Sequence, residues 1–219
     1  SGQGNAVGGV VIDSGKFPWL GNSKFPSLSM PSPEYNGLTF AETFGDLAYT
    51  MYSHAISLRD LGCTQSPMNA WITLNGIETL PLRMERHCSN GLAVAKFLEN
   101  QSNVEWVSHA SLESSPYFEL GKKYLPEGTG SVFTFGVKGG YESGLKMLES
   151  VKLFSHVANI GDTRSLILHP ASTTHRQLTE EQRIAAGAGP EVIRLSIGIE
   201  CVEDIISDLD QALNCLCKI

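Results

Sequence analysis

The chain has 219 residues, with 23 Asp and Glu against 16 Lys and Arg and a net charge of −7. At 42% hydrophobic and 18% charged residues it can bury a sizeable core, which excludes intrinsic disorder. The acidic balance argues against nucleic acid, whose phosphates reward clustered cations, and no run of about 18 apolar residues is present to cross a membrane.

Five cysteines (Cys63, Cys88, Cys201, Cys215 and Cys217) make an odd number in a chain long enough to fold without staples, which predicts a reduced, cytoplasmic protein. Cys215 and Cys217 fall on different sides of a helix, and neither they nor the histidines show metal-ligand spacing. Ser1 follows no initiator Met and begins no signal peptide, as expected of a chain that opens within a longer one.

Read in order, the glycine-rich opening (Gly2, Gly4, Gly8, Gly9) leads into an apolar strand, Gly9–Asp13. It is a weak phosphate loop, since its glycines precede the strand rather than follow it. Lys16–Gly37 reads as a long loop whose aromatics Phe17, Trp19 and Phe25 have no obvious cover. A helix is predicted over Ala41–Leu61, ended by Gly62. Ser66-Pro67 opens a second helix by cap and N1 proline, and its apolar spacing continues to Leu98. Pro81 must kink or interrupt that pattern. The domain boundary is placed there: 1–75 as the end of a larger α/β domain, 76–219 as a small α/β domain.

Beyond Asn100 the elements alternate. Strands are predicted at Val104–His109, Ser131–Lys138, Ser165–His169 and Val192–Ile199. Helices are predicted at Ser115–Leu125, Tyr141–Val151, Thr179–Ala186 and from Val202 onward. This order implies an α/β layer with helices on one face of a partly antiparallel sheet.

Arg194 is the most informative residue. Ile193, Leu195, Ile197 and Ile199 fill one face of a strand, while Arg194 and Ser196 point to the other. A guanidinium there suits a carboxylate or phosphate, although from pattern alone an Arg on the solvent face of a half-exposed strand is the favoured reading. The loop His169–His175 (HPASTTH) follows an apolar strand, where α/β ligands often bind, and an ordinary polar turn is its plain alternative. Arg83, Glu85, Arg86 and His87 read as a charge-dense turn, solvated or forming an ion-pair seam. No Gly-x-Ser-x-Gly elbow is present for Ser-His-Asp chemistry.

Four stretches carry more than pattern: IETLPLRMERH (77–87), FGVKGG (135–140), KLFSHVANIGDTRSLILHPASTTH (152–175) and IRLSIGIE (193–200). They resemble the C-terminal half of the Cys/Met-metabolism family of pyridoxal-phosphate enzymes, of fold type I. IDSGKFPW (12–19) and the loop to PSPEYNGLTFAETFG (31–45) resemble the O-acetylhomoserine sulfhydrylases within it. The resemblance implies a lysine-bound pyridoxal phosphate acting as electron sink, loss of acetate from Cγ and addition of sulfide to give homocysteine. It implies that Arg194 binds the α-carboxylate of the amino-acid substrate, with Ser165 and Thr174 helping to place it. It also implies a homotetramer.

The Schiff-base lysine and the other cofactor contacts of the family fall upstream of Ser1. No catalytic or cofactor-binding residue is therefore expected here, the fragment alone is expected to be inactive, and its first partner is the N-terminal half. Cystathionine γ-synthase or methionine γ-lyase chemistry would use the same three residues, and a stand-alone binding module is the non-enzymatic alternative. HASL (109–112) stands where the family commonly has Tyr-Pro-Gly-Leu, and reads as a peripheral loop.

Overall fold

The computed structural model describes residues 3–216; Gly2 and Cys217 lie outside them. The chain divides into two compact units, one holding Val7–Trp71 and the other Ile72 onward with the residues before Val7.

In the first unit, Gly9–Asp13 does not form the expected strand. Val10 and Ile12 are 82% and 88% exposed. A strand needs a ladder partner for its backbone groups and cover for its apolar side chains, and no described strand pairs with this stretch. The following loop is more built than expected. Helix α1 (Pro26–Ser29) opens on a proline, and the 3₁₀ turn Pro33–Tyr35 ends at Asn36 in the left-handed region, φ 54°. Trp19 lies 4.2 Å from Phe17, 5.3 Å from Phe25 and stacks on Tyr49 at 5.7 Å between ring centroids. The aromatics thus pack on one another, yet Phe17 and Phe25 stay exposed, so the expected lack of cover is only partly made good by their own cluster.

The long helix expected over Ala41–Leu61 is broken into α2 (Phe40–Phe44), a 3₁₀ turn, α3 (Ala48–Tyr52) and a π-helical stretch, Ser53–Asp60. Gly45 causes the break, because its φ of 52° does not belong in a right-handed helix.

Helix α4 (Pro67–Glu78) is capped by Ser66, whose Oγ accepts from the Asn69 N–H at 3.2 Å. Thr79 separates it from α5 (Leu80–Glu99), so Pro81 sits in a first turn and starts a helix rather than bending one. The expected charged turn is therefore helical. Glu85 and Arg86 face solvent, whereas Arg83 and His87, one turn apart, are buried. Arg83 Nη1 donates to the Gly76 carbonyl at 2.7 Å, and His87 Nδ1 donates to the Ile197 carbonyl at 2.7 Å.

The second unit is built on β1 (Val104–Ser108), β2 (Val132–Val137), β3 (Leu166–Leu168) and β4 (Val192–Ser196), in the order β1-β2-β4-β3. All three strand pairings are antiparallel, with one isolated parallel bridge, Ser155 to Leu166. Alternation along the strands sends Phe133, Phe135, Val137, Ile193, Leu195 and Ile167 to one face. Helices α5, α7 (Gly140–Ser150) and α9 (Val202–Leu216) cover that face with Val94, Leu98, Met147, Ile205 and Leu209. Asp208 of α9 accepts from the Lys152 and Leu153 N–H groups at 2.8–3.0 Å, tying the exit of α7 to α9.

Helices α6 (Phe118–Tyr124) and α8 (Glu180–Ala185) are peripheral; α8 is capped by Thr179, in a capping box completed by Gln182. The HASL segment is not peripheral: His109 and Leu112 are buried, and His109 meets Phe133 edge-on at 5.1 Å.

The two apolar segments differ in what they contribute. Phe135→Ala in the sheet core is expected to lower the unfolding free energy by about 3–5 kcal/mol. Val11→Ala, at a residue 74% exposed, should stay within about 0.5 kcal/mol. Urea denaturation of the two variants checks the contrast.

Candidate functional site

The candidate site lies on the face of the sheet opposite the helices. Strand β4 presents Arg194 there because Ile193 and Leu195 are held in the core. Arg194 sits between Thr134 of β2 and Leu168 of β3 in register. The residue as a whole is half-buried, and its Nη2 makes one long, exposed hydrogen bond, 3.3 Å, to the Asn159 carbonyl. No carboxylate pairs with it among the described residues. A planar cation with most of its five donors unengaged, on a partly apolar surface, is suited to receive an anion. Ser196, two residues on and on the same face, is buried with its hydroxyl unpartnered.

Leu168 leads directly into the loop His169–His175. His169 is fully buried: Nε2 donates to the Pro190 carbonyl at 2.8 Å and Nδ1 meets Ser172 Oγ at 3.0 Å. Gly144 of α7 makes room for the ring, since a Cβ there would come 2.7 Å from His169 Nε2. Thr173 Oγ1 donates back to the His169 carbonyl at 2.7 Å. Thr174 is exposed, and its hydroxyl meets His175 Nδ1 at 2.9 Å.

Ser165 is placed differently. Arg194 lies opposite Leu168, at the end of β3 from which the Thr174 loop departs; Ser165 lies at the other end, beside the Leu166–Ser196 pair. It is fully buried, and its groups are already engaged. Its N–H and O–H donate to the Glu200 carboxylate at 2.7 and 3.0 Å, and its Oγ accepts from the Gly198 N–H at 2.9 Å. The structure thus brings Arg194 and the Thr174 loop to one strand end and sets Ser165 apart. Glu200 was not singled out from the sequence. The only signal was a carboxylate closing an apolar strand segment without an adjacent cation.

A cavity of about 770 Å³ lies between α5, α6 and the turn 125–129, lined by Met84, Cys88, Phe118 and Lys122 among others. It contains none of the three residues above. The described residues hold no cluster of metal-ligating side chains, and no described helix is long and apolar enough to cross a membrane.

The sequence profile of the Cys/Met metabolism PLP-dependent enzymes matches residues 1–214. The chain belongs to this family. It is 48% identical over 214 residues to the homocysteine synthase of Schizosaccharomyces pombe, and 46% identical over 222 to the O-acetyl-L-homoserine sulfhydrylase of Leptospira meyeri. Each match covers 97% of this chain and 50% of the relative, so the chain spans about half the length of the curated relatives it matches. Its fold superposes with a TM-score of 0.80 and 38% identity on a putative O-acetylhomoserine (thiol)-lyase from Campylobacter jejuni, crystallised with a pyridoxyl-lysine, over 90% of this chain and 46% of that one.

Pyridoxal phosphate, the family's cofactor, needs a lysine held against a closed pocket. Every described lysine is exposed except Lys146, which is half-buried on α7. Lys122 lines the cavity beside α6, away from Arg194. Among the described residues, then, no lysine is buried as such a seat would require.

Two histidines near the sheet report on its integrity. Burial holds both His109 and His169 below the ordinary imidazole value; the Gly130 backbone offsets this slightly for His109, and the Pro190 carbonyl for His169. Below about pH 6.5 the unfolded chain binds protons that these folded rings refuse, so stability is flat above that pH and falls below it. We expect Tm to be constant from pH 8 to 7 and to drop from pH 6.5 to 5.5. His169→Gln should make that drop shallower. An unchanged slope in both His169→Gln and His109→Asn would contradict the assignment.

Proposed function

We propose that this chain forms the C-terminal half of a pyridoxal-phosphate-dependent O-acetylhomoserine sulfhydrylase, which converts O-acetyl-L-homoserine and sulfide to L-homocysteine and acetate. Arg194 anchors the α-carboxylate of the amino acid, and Thr174 lies in the loop beside it. Ser165, at the opposite end of β3, serves that site through the strand it starts rather than by standing beside Arg194. The names of the relatives support the reaction. The observation that carries the role of this chain is the guanidinium of Arg194, held in a defined strand register yet lacking a carboxylate partner among the described residues.

In this reading the half-chain binds and orients the substrate, while residues outside it hold the cofactor. The small unit, 76–219, is the substrate-binding domain, and residues 1–75 complete a larger cofactor domain contributed by the N-terminal half. The assembled enzyme is cytoplasmic and homotetrameric, with active sites shared between subunits.

A paired, charge-assisted contact to a carboxylate contributes about 1.5–3 kcal/mol. In the intact enzyme, Arg194→Ala should therefore lower kcat/KM tenfold to a hundredfold while leaving the cofactor's yellow absorbance in place. Arg194→Lys should restore little, because an ammonium cannot reproduce the planar fork. Unchanged kinetics in Arg194→Ala would overturn the assignment.

The 219-residue chain alone, mixed with pyridoxal phosphate and dialysed, should retain no visible absorbance and form no homocysteine. Absorbance that survives dialysis, together with homocysteine, would show that the chain seats the cofactor after all.

A further inference from the structure

Strand β3 is an edge strand of three residues, Leu166–Leu168, held to β4 by three register pairs. So short a ladder closes few hydrogen bonds and frays unless its ends are fastened. Its far end sets Leu168 against Arg194 and launches the loop that carries Thr174. Its near end is Ser165.

The segment after β4 provides a fastening. Helix α5 grips it from one side: His87 Nδ1 donates to the Ile197 carbonyl at 2.7 Å, and Asn90 Nδ2 donates to the Gly198 and Glu200 carbonyls at 3.1 and 2.9 Å. From that held turn the Glu200 side chain reaches back to β3. Its two oxygens accept separately from the Ser165 N–H (2.7 Å) and the Ser165 O–H (3.0 Å), while Ser165 Oγ accepts from the Gly198 N–H (2.9 Å). Gly198 is required by the close approach. A Cβ there would lie 2.3 Å from Glu200 Oε2, 2.4 Å from the Thr163 carbonyl oxygen and 2.6 Å from the Arg164 carbonyl carbon. No cation pairs with Glu200 among the described residues, so its carboxylate is held by neutral donors, and the geometry leaves it one evident task.

We propose that Glu200 is a positioning residue for substrate binding: its carboxylate fastens Ser165, and through the short strand β3 it sets Leu168 and the Thr174 loop against Arg194. Its link to affinity rests on the reading of Arg194 as the carboxylate anchor, whereas the fastening stands on this chain's geometry alone. Glu200 touches no reacting atom. It acts by joining the α5-held turn to the strand that borders Arg194.

The test is Glu200→Gln, a near-isosteric change that leaves a single acceptor oxygen for the two Ser165 donors. In the full chain, amide exchange at Ser165 and Gly198 should quicken at least tenfold over wild type, with exchange in α5 and β2 unchanged. In the intact enzyme, KM for O-acetylhomoserine should rise at least fivefold with kcat within about twofold. Glu200→Asp, which keeps both acceptors on a shorter stem, should fall between Gln and wild type in both readouts. If Glu200→Gln does not fold, Ser165→Ala, which removes only the hydroxyl, should quicken exchange at Gly198 and raise KM.

Unchanged exchange and KM would overturn the proposal. So would a fall in kcat at constant KM, the signature of losing active protein. If instead Arg194→Ala leaves KM unchanged while Glu200→Gln quickens exchange, the carboxylate-anchor reading fails and the fastening survives.

Discussion

The alternation of β4 governs the second unit. Ile193 and Leu195 are locked into the core by Phe133, Phe135 and the helices behind them, so Arg194 has no choice of face. Burying each of those side chains contributes about 1.5–3 kcal/mol, far more than a guanidinium gains from one long hydrogen bond to a carbonyl. The core therefore sets the direction of the cation, and a one-residue slip in register would bury the charge and expose two isoleucine- or leucine-sized side chains. The apolar face thereby fixes the position of the polar one.

The neighbours of β4 are placed by the same register, but with unequal security. Strand β2 pairs with it over five positions, whereas β3 pairs over three at the edge. The polar contacts around the unit fall where the ladder is weakest. Glu200 and Ser165 close one end of β3, and the buried His169, with Ser172 and the Pro190 carbonyl, closes the other. Each fastening needs a glycine to let backbone or ring approach, Gly198 at the first and Gly144 at the second. Buried polar groups that are satisfied in this way cost little and specify one arrangement.

The order and type of the elements in the second unit were legible because its strands and helices are periodic and end on recognisable caps, such as Thr179 with Gln182. Arg194 was legible as a residue on the wrong face of an apolar strand. Other features depended on tertiary partners that periodicity does not encode. Glu200, Asn90 and His87 meet groups more than thirty positions away, and Arg83 and His87 looked like surface charge until helix α5 turned them inward. In the first unit, Val10–Ile12 read as a strand because its residues are strand formers, but strands form by pairing, and no described strand pairs with it. The break at Gly45 was visible as a glycine, yet only its positive φ shows that it ends a helix. Family resemblance added what neither periodicity nor packing supplies: the chemistry at the end of the guanidinium.

The central claim is that this face of the sheet receives a carboxylate at Arg194. The most direct measurement is a crystal structure of the intact enzyme with a non-reacting amino-acid analogue of O-acetylhomoserine bound. The account predicts the analogue's carboxylate within hydrogen-bond distance of two Arg194 nitrogens, with the contact to Asn159 released and Thr134 and Leu168 still flanking in register. A carboxylate bound elsewhere, with Arg194 still directed at the Asn159 carbonyl, would contradict it.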